Sequence, residues 1–237
     1  YAMIAEVDAM VGAIRAAVEA AGLADSTWFI YTSDHGEMNM EHGQYLKNSL
    51  YEPSVRVPLV VAGPGCARAA VVDRPVSLVD LFPTLMDLAG APHPEGLEGA
   101  SLAPDLAGRR GLHPGWVISE YHSNFQNTGS FMLRQGDWKY IAYAGYPAQL
   151  FHLGDDPDEV RDLASERPDV VRELDAKLRS IVDYEAVDRA AKEYDRASFR
   201  AWCGSVGDAE RRRSLGKAVQ GWGAEHEERL RAWLAPR

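Results

Sequence analysis

Cysteine is nearly absent: Cys66 and Cys203 are the only two in 237 residues, and they stand far apart. That spacing excludes a disulfide framework and a thiolate zinc site, and it leaves the compartment open. Long hydrophobic runs are absent too. No stretch approaches the roughly 20 apolar residues that span a bilayer, and the opening Tyr-Ala-Met-Ile-Ala-Glu has neither the basic start nor the apolar run of a signal peptide. Positive charge is scarce, with 25 basic against 35 acidic residues and a net charge of −10. An extended phosphate-binding surface is therefore excluded, and nucleic acid is not an expected partner. There is no internal repeat and no low-complexity tract. What is plentiful is apolar side chain, 46% of the chain, enough for the core of one large domain or two small ones.

Met3, Ile4, Val7, Met10, Val11, Ile14, Ala17 and Val18 recur at three- and four-residue steps, which predicts an amphipathic helix stopped at Gly22. Tyr1 enters that periodicity with no capping residue before it, so the helix is expected to continue a fold begun upstream. Residues 27–32, β-branched and aromatic, predict a buried strand, and 55–62 a second one that is an edge strand or begins only after Pro58. Ser77 to Gly90 reads as a helix with Pro83 near its first turn. The Pro- and Gly-rich stretch from Pro92 to Gly115 marks a junction. Beyond it, short strands at 116–121, 130–134, 138–144 and 149–153, with Gln135-Gly136-Asp137 as a hairpin turn, predict a small antiparallel sheet. A helix carrying Val170, Leu174 and Leu178 is expected to pack on that sheet. The tail is highly charged but has too many anchors for disorder, among them Phe199, Trp202, Val219, Trp222 and Trp233, and is expected to wrap the body as short helices.

The chemistry concentrates in Ser33-Asp34-His35-Gly36-Glu37, Glu41-His42-Gly43-Gln44-Tyr45-Leu46-Lys47 and Tyr51-Glu52-Pro53-Ser54-Val55-Arg56-Val57-Pro58-Leu59. In open α/β sheets ligand sites gather past the carboxyl ends of strands, so an Asp-His pair directly after one is placed to hold a metal. Adjacent side chains at a strand end point opposite ways, and both reach one ion only if the backbone turns, as Gly36 permits. Taken alone, Asp-His-Gly is equally a turn cap with a satisfied histidine.

This order of elements resembles the sulfatases of the alkaline-phosphatase superfamily, in which a strand ends in Ser-Asp-His-Gly-Glu or Ser-Asp-Asn-Gly and His-Gly, Lys, Tyr-Glu and Arg-Val-Pro-Leu follow. The resemblance continues through Asp-Leu-Phe-Pro-Thr at 80–84, Trp138-Lys139-Tyr140 and Leu150-Phe151. Glu120-Tyr121-His122 and the Phe199 to Trp202 tail are similar to a branch acting on a sulfated sugar.

The resemblance implies an α/β fold: the carboxy-terminal part of an alkaline-phosphatase-like sandwich over 1–110, a small antiparallel sheet with a packed helix over 111–184, and a helical tail over 185–237. It implies hydrolysis of a sulfate ester, on a sulfated small molecule or saccharide, by a formylglycine whose hydrate attacks sulfur beside calcium. Asp34 and His35 would be calcium ligands, although imidazole is an untypical ligand for calcium and leaves the metal's identity open. Lys47 would set its ammonium against a sulfate oxygen as a catalytic charge, and His122 is a candidate substrate contact. His42 reads as structural, Glu37, Glu41 and Glu52 as structural or surface carboxylates, and Arg56 as an ion-pair partner beside a strand.

The family's nucleophile motif, Cys-x-Pro-Ser-Arg or Cys-x-Ala-x-Arg, fits neither Cys66 nor Cys203. The nucleophile and the other calcium ligands are therefore expected on amino-terminal sequence outside this chain, without which it turns over no ester. Two rival readings remain: a phosphate or phosphonate monoester hydrolase of the same superfamily, and a non-catalytic binding module.

Overall fold

The computed structural model describes residues 2–122, 126–218 and 222–235. Ser123 and Asn124, which flank the candidate His122, and the tail anchor Val219 lie outside the described residues.

Helix α1, Ala2–Ala20, has the predicted apolar stripe, yet no residue of it is buried: Met3, Ile4, Val7, Met10 and Ile14 all face solvent. Strand β1, Phe29–Thr32, pairs antiparallel with β2, Leu59–Ala62, with Phe29 opposite Ala62 and Thr32 opposite Leu59. Strand β2 begins after Pro58, which cannot donate to a ladder. The buried strand expected from 27–32 is not buried in this chain. The sheet has two strands, and Tyr31 and Val60 stay 44% and 61% exposed because no element among the described residues covers that face.

Between the strands lies a loop with a 3-10 turn at Glu41–Gly43 and a short helix, α2 (Glu52–Val55). Helix α3, Leu81–Leu88, is entered through a 3-10 turn at Leu78–Asp80 and has Pro83 in its first turn, where a missing N–H costs nothing. Buried Asp80 organises this corner: its carboxylate accepts from the backbone N–H groups of Ser77 at 2.7 Å and Ala100 at 2.8 Å, and His113 lies 3.2 Å away. Helix α4, Ala103–Leu106, follows.

A four-stranded antiparallel meander comes next: β3 Trp116–Tyr121, β4 Ser130–Gln135, β5 Trp138–Tyr143 and β6 Tyr146–His152, in spatial order β3-β4-β5-β6. Side chains alternate across the pleat, so successive residues serve two cores. Phe131, Leu133, Tyr140 and Leu150 face helix α5, Pro168–Ile181, which presents Val170, Leu174 and Leu178 at four-residue steps. Met132, Ile141 and Phe151 face the other way and bury Leu50, Tyr51 and Val55 of the β1–β2 connection. The second face is what fixes the candidate loop on the sheet.

The tail opens with α6, Tyr184–Ser205, capped by Asp183, whose carboxylate accepts from the Ala186 N–H at 3.0 Å; α7, Asp208–Ala218, and α8, Ala224–Leu234, follow. At 22 residues α6 is longer than the short helices expected. The first residue of α6 packs on the meander, where Tyr184 meets Phe131 at 5.4 Å, and within the tail Phe199 meets Trp233 of α8 at 6.1 Å. Among the described residues no helix is long and apolar enough to cross a membrane.

Candidate active site

At the end of β1 the chain turns immediately. Ser33 Oγ donates to the His35 carbonyl at 2.9 Å, and the His35 N–H donates to Asp34 Oδ1 at 3.0 Å. That backbone donation holds the exposed Asp34 carboxyl below the usual carboxylate range. Asp34 Oδ2 and His35 Nε2 lie 3.5 Å apart, so the turn brings both side chains to one point. His35 Nδ1 sits 2.7 Å from the Gly36 carbonyl, which fixes Nδ1 as the donor and leaves the Nε2 lone pair free for a metal.

Gly36 permits this turn for a different reason from backbone freedom. Its N–H donates to the Ser54 carbonyl at 2.7 Å, and a Cβ there would overlap the Pro53 carbonyl oxygen. The two ends of the loop thus meet backbone to backbone.

Lys47 stands on the returning limb. The Ser54 hydroxyl donates to its carbonyl at 2.9 Å, while the ammonium has no hydrogen-bond or ion-pair partner among the described residues. Asp34, His35 and Lys47 line one cavity of about 810 Å³, together with Arg56 and, on the opposite wall, Glu120 and Arg134. Arg56 forms no ion pair among the described residues; it faces this cavity instead. His42 stacks on Tyr51 at 4.1 Å with the rings 6° from parallel, a structural contact as expected.

His122 is not in that cavity. It lines a neighbouring cleft, and its Nε2 sits 3.0 Å from Glu120 Oε2, so the Glu120–His122 pair partitions the two spaces. Its Nδ1 is buried without a hydrogen-bond partner among the described residues. Contact with a ligand through either nitrogen therefore requires the ring to move.

The sequence did not single out what holds the Lys47 limb in place. Arg134 and Lys139 are direct cross-strand partners on β4 and β5, an unfavourable pairing of like charges. Glu52 lies between them, with Oε2 at 3.2 Å from Arg134 and Oε1 at 3.0 Å from Lys139. The fully buried Lys139 ammonium also lies 2.7 Å from Glu159, whose carboxylate accepts from the Glu52 backbone N–H as well. Glu159 adopts a left-handed φ of 54° to deliver that carboxylate, a conformation unfavourable for an L side chain. The available signal was a lysine flanked by aromatics inside a strand buried on both faces.

Donor chemistry tests the fit to a metal. A carboxylate oxygen and a free imidazole nitrogen at 3.5 Å suit two ligands of a shared ion, whereas calcium takes about six to eight. Among the described residues no group of three or more His, Cys, Asp or Glu side chains could hold a metal. Asp34 and His35 alone are too few donors to complete a coordination sphere.

Residues 1–91 match the sulfatase family model. Arylsulfatase K of Danio rerio is 46% identical over 217 residues, covering 88% of this chain and 41% of that protein. The chain thus spans about two fifths of the length of such curated relatives. Among solved structures, a 2-O GAG sulfatase superposes with a TM-score of 0.64 at 32% identity, over 70% of this chain and 38% of that one. A phosphonate monoester hydrolase of Agrobacterium radiobacter gives a TM-score of 0.69 at 31% identity, over 75% and 39%. Residues 1–91 thus carry a sulfatase-family domain, and the chain has the alkaline-phosphatase-like fold of the sulfatases to which it is similar.

Proposed function

We propose that this chain supplies part of the active site of a sulfuric ester hydrolase acting on a sulfated saccharide. The observation that supports the reading is the convergence of Asp34, His35 and Lys47 on one cavity from two limbs of the β1–β2 connection. Asp34 Oδ2 and His35 Nε2 are the atoms that would hold calcium, which when bound polarises the sulfate oxygens. Lys47 places its ammonium against the ester, where a fixed charge offsets the negative charge that develops on the leaving oxygen. His122 acts through Glu120, holding that carboxylate toward the substrate across the partition. The saccharide assignment draws on the 2-O GAG sulfatase neighbour.

The nucleophile, a formylglycine, belongs on further sequence, as do the remaining metal ligands. The uncovered stripe of α1 and the open face of the β1–β2 pair support that arrangement, because apolar surface of this extent is normally covered. By itself this chain is expected to turn over no sulfate ester.

The test uses the complete protein. Lys47→Met is expected to lower kcat on an aryl sulfate by about 10²–10³-fold, the loss typical of one transition-state charge contact, with a much smaller change in KM. Unchanged kcat would remove Lys47 from the reaction. The phosphonate hydrolase neighbour favours a second reading, in which the same cavity takes a phosphonate or phosphate monoester. Parallel assays on aryl sulfate and aryl phosphonate separate the two. A non-catalytic module is the third, and calorimetric titration of the complete protein with calcium, with Asp34→Asn as control, decides whether the site binds metal at all.

A further inference from the structure

Beyond the Glu120–His122 partition lies a cleft of about 550 Å³ between the start of β4 and the tail. Helix α6 forms one wall with a stripe at three- and four-residue steps: Asp188, Lys192, Asp195, Phe199 and Trp202. Trp233 of α8 closes the aromatic end, and Phe199 touches both tryptophans, at 5.2 Å and 6.1 Å. At the polar end Asp188 is already engaged, accepting from the Gly129 N–H at 2.6 Å and pairing with Lys192 at 2.7 Å. Asp195 is not: its carboxylate is exposed and has no hydrogen-bond or ion-pair partner among the described residues.

We infer that this cleft binds an uncharged sugar ring, a neighbour in the same saccharide of the sulfated ring held in the larger cavity. Half-exposed indoles offer flat apolar surface to the CH face of a pyranose, and an unpaired carboxylate accepts from its hydroxyls. Charge does not select for a sulfated ring: Asp188 and Lys192 pair, and the Arg196 guanidinium 5.7 Å over the Trp233 ring balances Asp195, so the cleft carries no net positive charge for a sulfate. Position fits a chain of rings. Glu120 and His122 lie two residues apart on one limb, about 7 Å, so the two spaces are adjacent along β3. The identity of the larger ligand rests on the sulfatase reading; the cleft's own chemistry does not.

The experiment titrates the complete protein with N,N′-diacetylchitobiose, a neutral disaccharide, and follows tryptophan fluorescence. A saturable change is expected in the wild type, and Asp195→Asn and Trp202→Ala should each weaken it by roughly tenfold. Asp195→Asn, at an exposed position, keeps the test valid if Trp202→Ala fails to fold. Hydrolysis is measured in parallel on an aryl sulfate and a sulfated tetrasaccharide. Both variants should raise KM for the tetrasaccharide and leave the aryl sulfate untouched. No saturable change, or one that survives both substitutions, overturns the subsite. If neither ester is hydrolysed by wild type but the chitobiose result holds, the sulfatase reading falls and the sugar cleft stands.

Discussion

Replacing Lys139 by Met leaves the Glu159 carboxylate buried with no cation. In the wild type the ammonium sits 2.7 Å from Glu159 and 3.0 Å from Glu52, with Lys139 and Glu159 both excluded from solvent. Glu52 keeps Arg134 at 3.2 Å, so the loss falls mainly on Glu159. Removing one partner of a buried pair costs about 3–5 kcal/mol. Burial already pushes the Glu159 carboxyl above its ordinary range, with Lys139 opposing it. Without Lys139 it rises further, and the folded state then holds a proton that the unfolded state releases. For a carboxyl with a raised folded value, stability is fully present below the unfolded value of ~4.3 and is lost as pH climbs toward the folded one. Each pH unit in that window removes about 1.4 kcal/mol, so Lys139→Met should lose stability as pH rises from 5 to 7, by at most about 2.7 kcal/mol. Urea unfolding of the complete protein at both pH values, followed by far-ultraviolet circular dichroism and tryptophan fluorescence, measures it. Adding Glu159→Gln to Lys139→Met should recover at least half of the deficit at pH 7 and flatten the pH dependence. A deficit of the same size at both pH values, or one that Glu159→Gln leaves in place, would refute the electrostatic account in favour of lost packing.

Two further outcomes follow from the same geometry. Asp175 is partly buried, which raises its carboxyl, but hydrogen bonds from Arg179, Tyr184 and Tyr140 outweigh burial and hold it below the ordinary range. That stabilisation is complete above the unfolded value of ~3.9 and is lost as pH falls through the lower folded one. The gap in urea midpoint between wild type and Asp175→Asn should therefore be constant from pH 8 to pH 5 and close in more acid solution; a gap that widens there would reverse the sign. Gly36→Ala forces a methyl onto the Pro53 carbonyl and should part the loop ends, lowering calcium affinity in calorimetry while the far-ultraviolet spectrum of the meander and helices persists. Wild-type calcium affinity in this variant would show that the close approach is dispensable.

The local chemistry was legible in the residues themselves. The short apolar and aromatic runs at 130–135 and 138–143, the glycine turn between them and the four-residue spacing of Val170, Leu174 and Leu178 point to a hairpin with a helix packed on it. Pro58 fixed where β2 begins, and the Ser-Asp-His-Gly-Glu run marked the strand end. What the chain could not disclose in one dimension is what lies against what. Glu52 reads as one more loop carboxylate until Lys139, 87 residues away, and Glu159, 107 residues away, close around it. The strand at 29–32 reads as buried, yet burial depends on a covering layer that the described residues do not supply. His122 and Asp34 belong to one expected site in sequence and to two adjacent spaces in the fold, since the Glu120–His122 pair stands between them. Periodicity determines the elements because hydrogen bonding and alternation are local. The site is decided by tertiary structure, because charge, desolvation and shape act between residues that only packing brings together.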